Sequence, residues 1–114
     1  MNRLPEDLRA AVSSALAPSE HIALVAPAVG CTLVLTDARL LVVREGASYR
    51  PRSGIRSWVL DRTLNLHPGP VRNTSGQLAI ESPRRTTSVF YRIEHKPAID
   101  QVVAEVRRRI YAAG

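Results

Sequence analysis

The chain has 114 residues, with sixteen Lys and Arg against ten Asp and Glu, a formal charge of +6 and a pI near 10.7. That length fits one hydrophobic core and is too short for two, and 45% apolar with 23% charged residues excludes a disordered chain. The single cysteine, Cys31, excludes an internal disulfide and a multi-cysteine zinc site.

In chain order, the first segment reads as a short helix. Pro5 suits a first helical turn, Glu6 and Asp7 place negative charge at the positive helix end, and Leu4, Leu8, Val12, Ala15 and Leu16 form a stripe at helical spacing. Pro18 and Ser19 end it. A helix this short has to lie on something to be stable, so Leu4, Leu8 and Val12 are expected to dock on the chain's own sheet or on another subunit.

From Ile22 the pattern becomes β. Ile22, Leu24 and Val25 lead to a turn at Pro27–Gly30, and the runs CTLVLT (31–36) and RLLVVR (39–44) form a hairpin across Asp37–Ala38. Their nearly continuous apolar character predicts burial on both sides, or core on one side and a helix on the other. Glu45 to Gly54 is a loop. Strands are expected over 55–62 and around Leu64 and Leu66, and 67–76 is turn chemistry. Gln77 to Ser82 alternates, with Leu78 and Ile80 inward. Thr86 to Ile93 completes a second hairpin, whose inner face is either Val89, Tyr91 and Ile93 or the face with Phe90. The last segment is an amphipathic helix from Pro97, with Ile99, Val102, Val103, Val106 and Ile110 at helical spacing and Arg107 to Arg109 near its negative end. Seven short strands and a terminal helix predict a mainly β domain, either a sandwich or a rolled sheet plugged by the helix.

The order Ser19-Glu20-His21 followed by Leu33 to Val43, with Thr36, Asp37 and Arg39 its most distinctive positions, resembles bacterial pleckstrin-homology-like domains. The likeness runs through residues 19–112 and leaves the helix of residues 1–17 outside. It implies a seven-stranded, strongly bent antiparallel barrel capped by the C-terminal α-helix, with a short extra N-terminal helix. It also implies a module that assembles into oligomers or binds a partner, since some members form rings. Thr36, Asp37 and Arg39 read as a structural turn motif, because Thr and Asp side chains hydrogen-bond local backbone and Arg39 can pair with Asp37 or another carboxylate. The phosphoinositide pocket of lipid-binding relatives resembles a basic first hairpin loop. The matching loop here, 26–30, carries no charge.

Positive charge lies elsewhere. Arg50, Arg52, Arg56, Arg72, Arg84 and Arg85 are the candidate anion-binding residues, because a guanidinium fork meets two phosphate or carboxylate oxygens at once. The competing reading is a solvated surface balanced by Glu45, Asp61, Glu81 and Glu94. His21, His67 and His95 are scattered, and no phosphate loop or nucleophile elbow is present. No catalytic residue, metal or cofactor is therefore expected. The longest nearly apolar run, 22–34, is broken by Pro27, Gly30 and Thr32, so no integral membrane segment is expected and the cytoplasm is the default location. The leading expectation is a non-catalytic protein-interaction or self-assembly module. The alternative is weak nucleic-acid or anionic-lipid binding through the Arg-rich loops.

Overall fold

The computed structural model describes residue 4, residues 6–45 and residues 54–113. The elements in chain order are α1 (Glu6–Ala15), β1 (Ile22–Ala28), β2 (Cys31–Thr36), β3 (Arg39–Arg44), β4 (Ile55–Val59), β5 (Asn65–Pro68), β6 (Ser75–Ser82), β7 (Arg85–Arg92), a 3-10 turn (Ile93–His95) and α2 (Lys96–Ala113). All paired strands are antiparallel. They form a four-stranded sheet in the order β1-β2-β3-β4 and a three-stranded sheet in the order β5-β6-β7.

The two sheets stay separate and open, which corrects the expectation of a closed, mainly β barrel. The architecture is mixed α and β, with β4 and β5 as edges that do not pair with one another. The sheets approach at the opposite corner, where the Val29 amide beyond β1 donates to the Phe90 carbonyl at 2.8 Å. Closure needs a continuous ladder of backbone bonds, and side-chain alternation carries no information on which edges meet.

The β2–β3 hairpin is the centre of the molecule because both of its faces are apolar. Leu33, Leu35, Leu40 and Val42 face the main core with Leu66, Leu78, Ile80, Val89 and Tyr91 of the second sheet, and α2 adds Ile99, Val102, Val103, Val106 and Ile110. Val34, Leu41 and Val43 face the other way, under Leu8 and Val12 of α1, with Leu4, Leu16 and Ile55 at the margin. The N-terminal stripe therefore docks on the chain's own sheet. With Leu8 and Val12 fully buried there, this stripe is not open to another subunit.

Two glycines answer to geometry. Gly30 takes φ +71° in the β1–β2 turn, a region that costs other residues a clash between Cβ and the backbone. That turn is tighter than the sequence suggests, because β1 continues through Pro27, which an edge strand tolerates. Gly76 sits opposite Tyr91 in the β6–β7 ladder, and a Cβ there would lie 2.5 Å from the Tyr91 ring. Tyr91 and Val89 thus form the inner face of β7, while Phe90 is 52% exposed and Ile93 leaves the strand.

Two substitutions test this packing by chemical denaturation. Leu8→Ala is expected to cost about 3 kcal/mol by leaving a cavity between α1 and the sheet. Gly76→Ala is expected to cost about 2 kcal/mol by forcing the Tyr91 ring off its seat. An unchanged midpoint for Leu8→Ala would mean that α1 does not rest where it is described.

Candidate functional site

The motif around the β2–β3 turn is one hydrogen-bonded node. Glu20, between α1 and β1, has its side chain only 4% exposed, and its two oxygens accept four bonds. Arg39 meets it as a fork, with Nη2 to Oε1 at 2.7 Å and Nε to Oε2 at 3.0 Å. The Thr36 hydroxyl donates to Oε2 at 2.5 Å and the Ala17 amide to Oε1 at 3.0 Å. Thr36 Oγ1 also accepts the amides of Ala38 and Arg39, which forms the turn. Asp37 accepts the His21 amide at 3.1 Å, and Arg39 Nη2 reaches the Ala15 carbonyl at the end of α1 at 2.8 Å. The Arg39 bonds are the largest influence holding the Glu20 carboxyl down at about 2. Glu20 and Thr36 spend their side-chain oxygens inside the molecule and Arg39 directs its Nε and Nη2 there, so the node fastens α1 and β1 to the turn and offers little to a ligand.

The candidate anion-binding arginines divide. Arg56, Arg84 and Arg85 line one groove of about 1030 Å³, joined by Arg44, which sequence reading does not single out. One wall of the groove is β4 along its whole length, and the other is the turn between β6 and β7 with the segment after β4. Arg56 comes off the inner face of β4 and its Nη1 donates to Thr87 Oγ1 at 3.2 Å, bridging the two sheets at their open corner. Arg84 and Arg85 are exposed at the hairpin turn. Arg72 lies elsewhere, near the Ser75 end of β6, whereas Arg84 and Arg85 follow its Ser82 end. Eight residues of strand place the two ends roughly 24 Å apart. Arg50 and Arg52 lie outside the described residues.

A single carboxylate, Asp61, offsets the four arginines of this groove only in part. Asp61 lines it, but its carboxylate accepts the amide and hydroxyl of Thr63, whose bonds hold it below the usual range. Glu81 faces His67 at 3.6 Å, and Glu94 pairs with Arg92 at 2.9 Å. Among the described residues, no ion pair involves Arg44, Arg56, Arg84 or Arg85. The arginine run on α2 is instead satisfied: Arg107 donates to the Leu66 carbonyl, Arg109 to the Thr36 carbonyl, and Glu105 takes both Arg108 and Arg109.

Other sequence candidates for chemistry stand apart. His21 and His67 are exposed and His95 is half-buried, each on a different element or connection. Cys31 is half-buried at the start of β2, and burial pushes its thiol pKa up. Among the described residues no group of three His, Cys, Asp or Glu is placed to hold a metal ion, and no helix is long and apolar enough to cross a membrane.

Comparison with models of known families, with curated proteins and with solved structures finds no match. No family match supports the pleckstrin-homology-like resemblance of the hairpin motif, and the two open sheets overturn the closed barrel it implies.

The node has a pH signature. Because the Glu20 carboxyl is depressed on folding from 4.5 to about 2, its contribution is complete above pH 4.5 and is lost as pH falls through about 2. Glu20→Gln is expected to cost about 2 kcal/mol at neutral pH, the range for a hydrogen bond to a charged group. The gap between it and the parent should narrow as pH drops from 4.5 towards 2, as read by denaturation at each pH. A gap that stays constant over that range would show that the Glu20 charge does not hold the node.

Proposed function

We propose that the chain is a non-catalytic binding module for an acidic protein partner, with the groove between β4 and the β6–β7 turn as its site. The observation that carries this reading is the gathering of Arg44, Arg56, Arg84 and Arg85 around one groove with no ion-pair partner among the described residues. Like charges so placed oppose folding by mutual repulsion. A carboxylate-bearing ligand relieves that repulsion and receives forked, charge-assisted hydrogen bonds. Among the described residues, Trp58 is the one aromatic side chain that lines this groove. Trp58 is half-buried against the main core, and Phe90 stands on the outer face of β7, away from the lining. Single-stranded nucleic acid combines a basic track with exposed aromatics, so a carboxylate partner fits these walls better.

The test is a titration of labelled polyglutamate peptide, an oligothymidylate and phosphatidylserine vesicles at about 50 and about 200 mM salt. The peptide is expected to bind, more tightly at the lower salt. Arg84→Glu with Arg85→Glu should weaken it by about tenfold or more, with the melting transition retained. Preferential binding of the oligonucleotide or the vesicles, lost in the same variant, would replace the acidic partner with that anion. Binding that the charge reversal leaves untouched would remove the groove as the site.

A further inference from the structure

β4 is the edge of its sheet, and its backbone shows which groups face out. The Arg44 amide donates to the Gly54 carbonyl at 2.7 Å, and the Leu60 amide to the Ala38 carbonyl at 3.4 Å. Those two bonds bracket the β3–β4 ladder, in which Val42 opposes Arg56 and Leu40 opposes Trp58. Amide and carbonyl alternate sides along a strand, so Arg56 and Trp58 turn theirs towards β3 while Ile55, Ser57 and Val59 turn theirs away. Of the outward groups, the Val59 carbonyl accepts the Asp61 amide at 3.0 Å. The amides of Ile55, Ser57 and Val59 and the carbonyls of Ile55 and Ser57 have no backbone partner among the described residues. All five residues of β4 line the arginine groove, so the unpaired edge and the positive charge run side by side.

We infer that the acidic partner binds as an added strand, an extended segment hydrogen-bonded to the outer edge of β4 with alternate side chains carboxylate and apolar. This rests on the anion-binding reading of the groove and specifies the shape of the ligand. Strand addition takes its affinity from main-chain bonds and its selectivity from every second side chain. On the inner face an added strand lies beside Arg56, which calls for Asp or Glu. On the outer face it lies beside Ile55, half-buried against the α1 cluster, and Val59, which is 63% exposed. Apolar side chains suit that face. A second copy of the chain pairing edge to edge would bring two sets of groove arginines together, and like charges facing across a strand pair are destabilising. Charge therefore selects a different chain of opposite sign.

Two peptides of about seven residues with one composition separate sequence-neutral attraction from strand addition. One alternates Glu and Val, and the other places the Glu residues in one block and the Val residues in a second. The alternating peptide is expected to bind at least about tenfold tighter. Its binding should slow exchange of the Ile55, Ser57 and Val59 amides with solvent, as followed by NMR. N-methylating every second peptide amide on the side that meets β4 should abolish the advantage without touching the protein. Ser57→Pro, which removes an outward amide and leaves the β3 ladder intact, should do the same from the other side. Equal affinity for the two peptides, with no protection of these amides, would overturn strand addition while leaving the groove as an anion site. Failure of both peptides to bind at low salt would overturn both readings. Dimerisation of the free chain, lost in Ser57→Pro, would assign the edge to a second copy and overturn the acidic partner.

Discussion

A strand pair that is apolar on both faces must be covered twice, and the β2–β3 hairpin imposes that demand on the whole chain. Leu33, Leu35, Leu40 and Val42 need a second layer, which the three-stranded sheet and α2 supply. Val34, Leu41 and Val43 need another, which is α1. The resulting order is helix, sheet, core, and then second sheet with α2. The free edge of β4 follows from the same arrangement. The second sheet covers the inner face of the first without joining its end, so an open corner remains where Arg56 spans to Thr87.

The arginines of this protein sit in opposite surroundings. Arg39 is locked by a nearly buried carboxylate and a helix-end carbonyl, while Arg107 and Arg109 donate to the carbonyls of Leu66 in β5 and Thr36 at the end of β2. These are fasteners, with donors directed inward. Arg44, Arg56, Arg84 and Arg85 point their charge into a shared space without carboxylate partners among the described residues. A count of basic residues merges the two groups. Partner geometry distinguishes them, and only the second group leaves donor capacity for another molecule.

Much of the element order is legible in the residues. The alternation at Leu78 and Ile80 marks the inner face of β6, and the helical spacing of Ile99, Val102, Val103, Val106 and Ile110 marks a fully buried stripe. The continuous apolar runs of β2 and β3 already signal double coverage. Closure is illegible, because it depends on backbone edges meeting and not on side chains. The site is partly legible: Arg56, Arg84 and Arg85 stand out by type, but their union with Arg44 depends on how two sheets meet. Arg72 is misgrouped because loop membership says nothing about which end of a strand a loop occupies. Glu20 as the partner of Arg39 is hidden by a separation of nineteen positions, although it lies within the Ser-Glu-His run. The choice between the two faces of β7 turns on Gly76, whose missing side chain makes room for Tyr91.

The seat of α1 has a consequence for the order in which the molecule comes apart. A ten-residue helix does not hold its shape alone in water, so lifting from the sheet exposes its hydrogen-bonded amides to solvent. That motion breaks the small outer cluster and the Arg39 bond to Ala15, and it leaves the main core whole. It is thus a local opening that costs less than global unfolding. What it uncovers is a continuous apolar strip of Val34, Leu41 and Val43 on an otherwise intact sheet. A species opened in this way keeps its core yet carries one uncovered apolar face, the kind of surface that drives association.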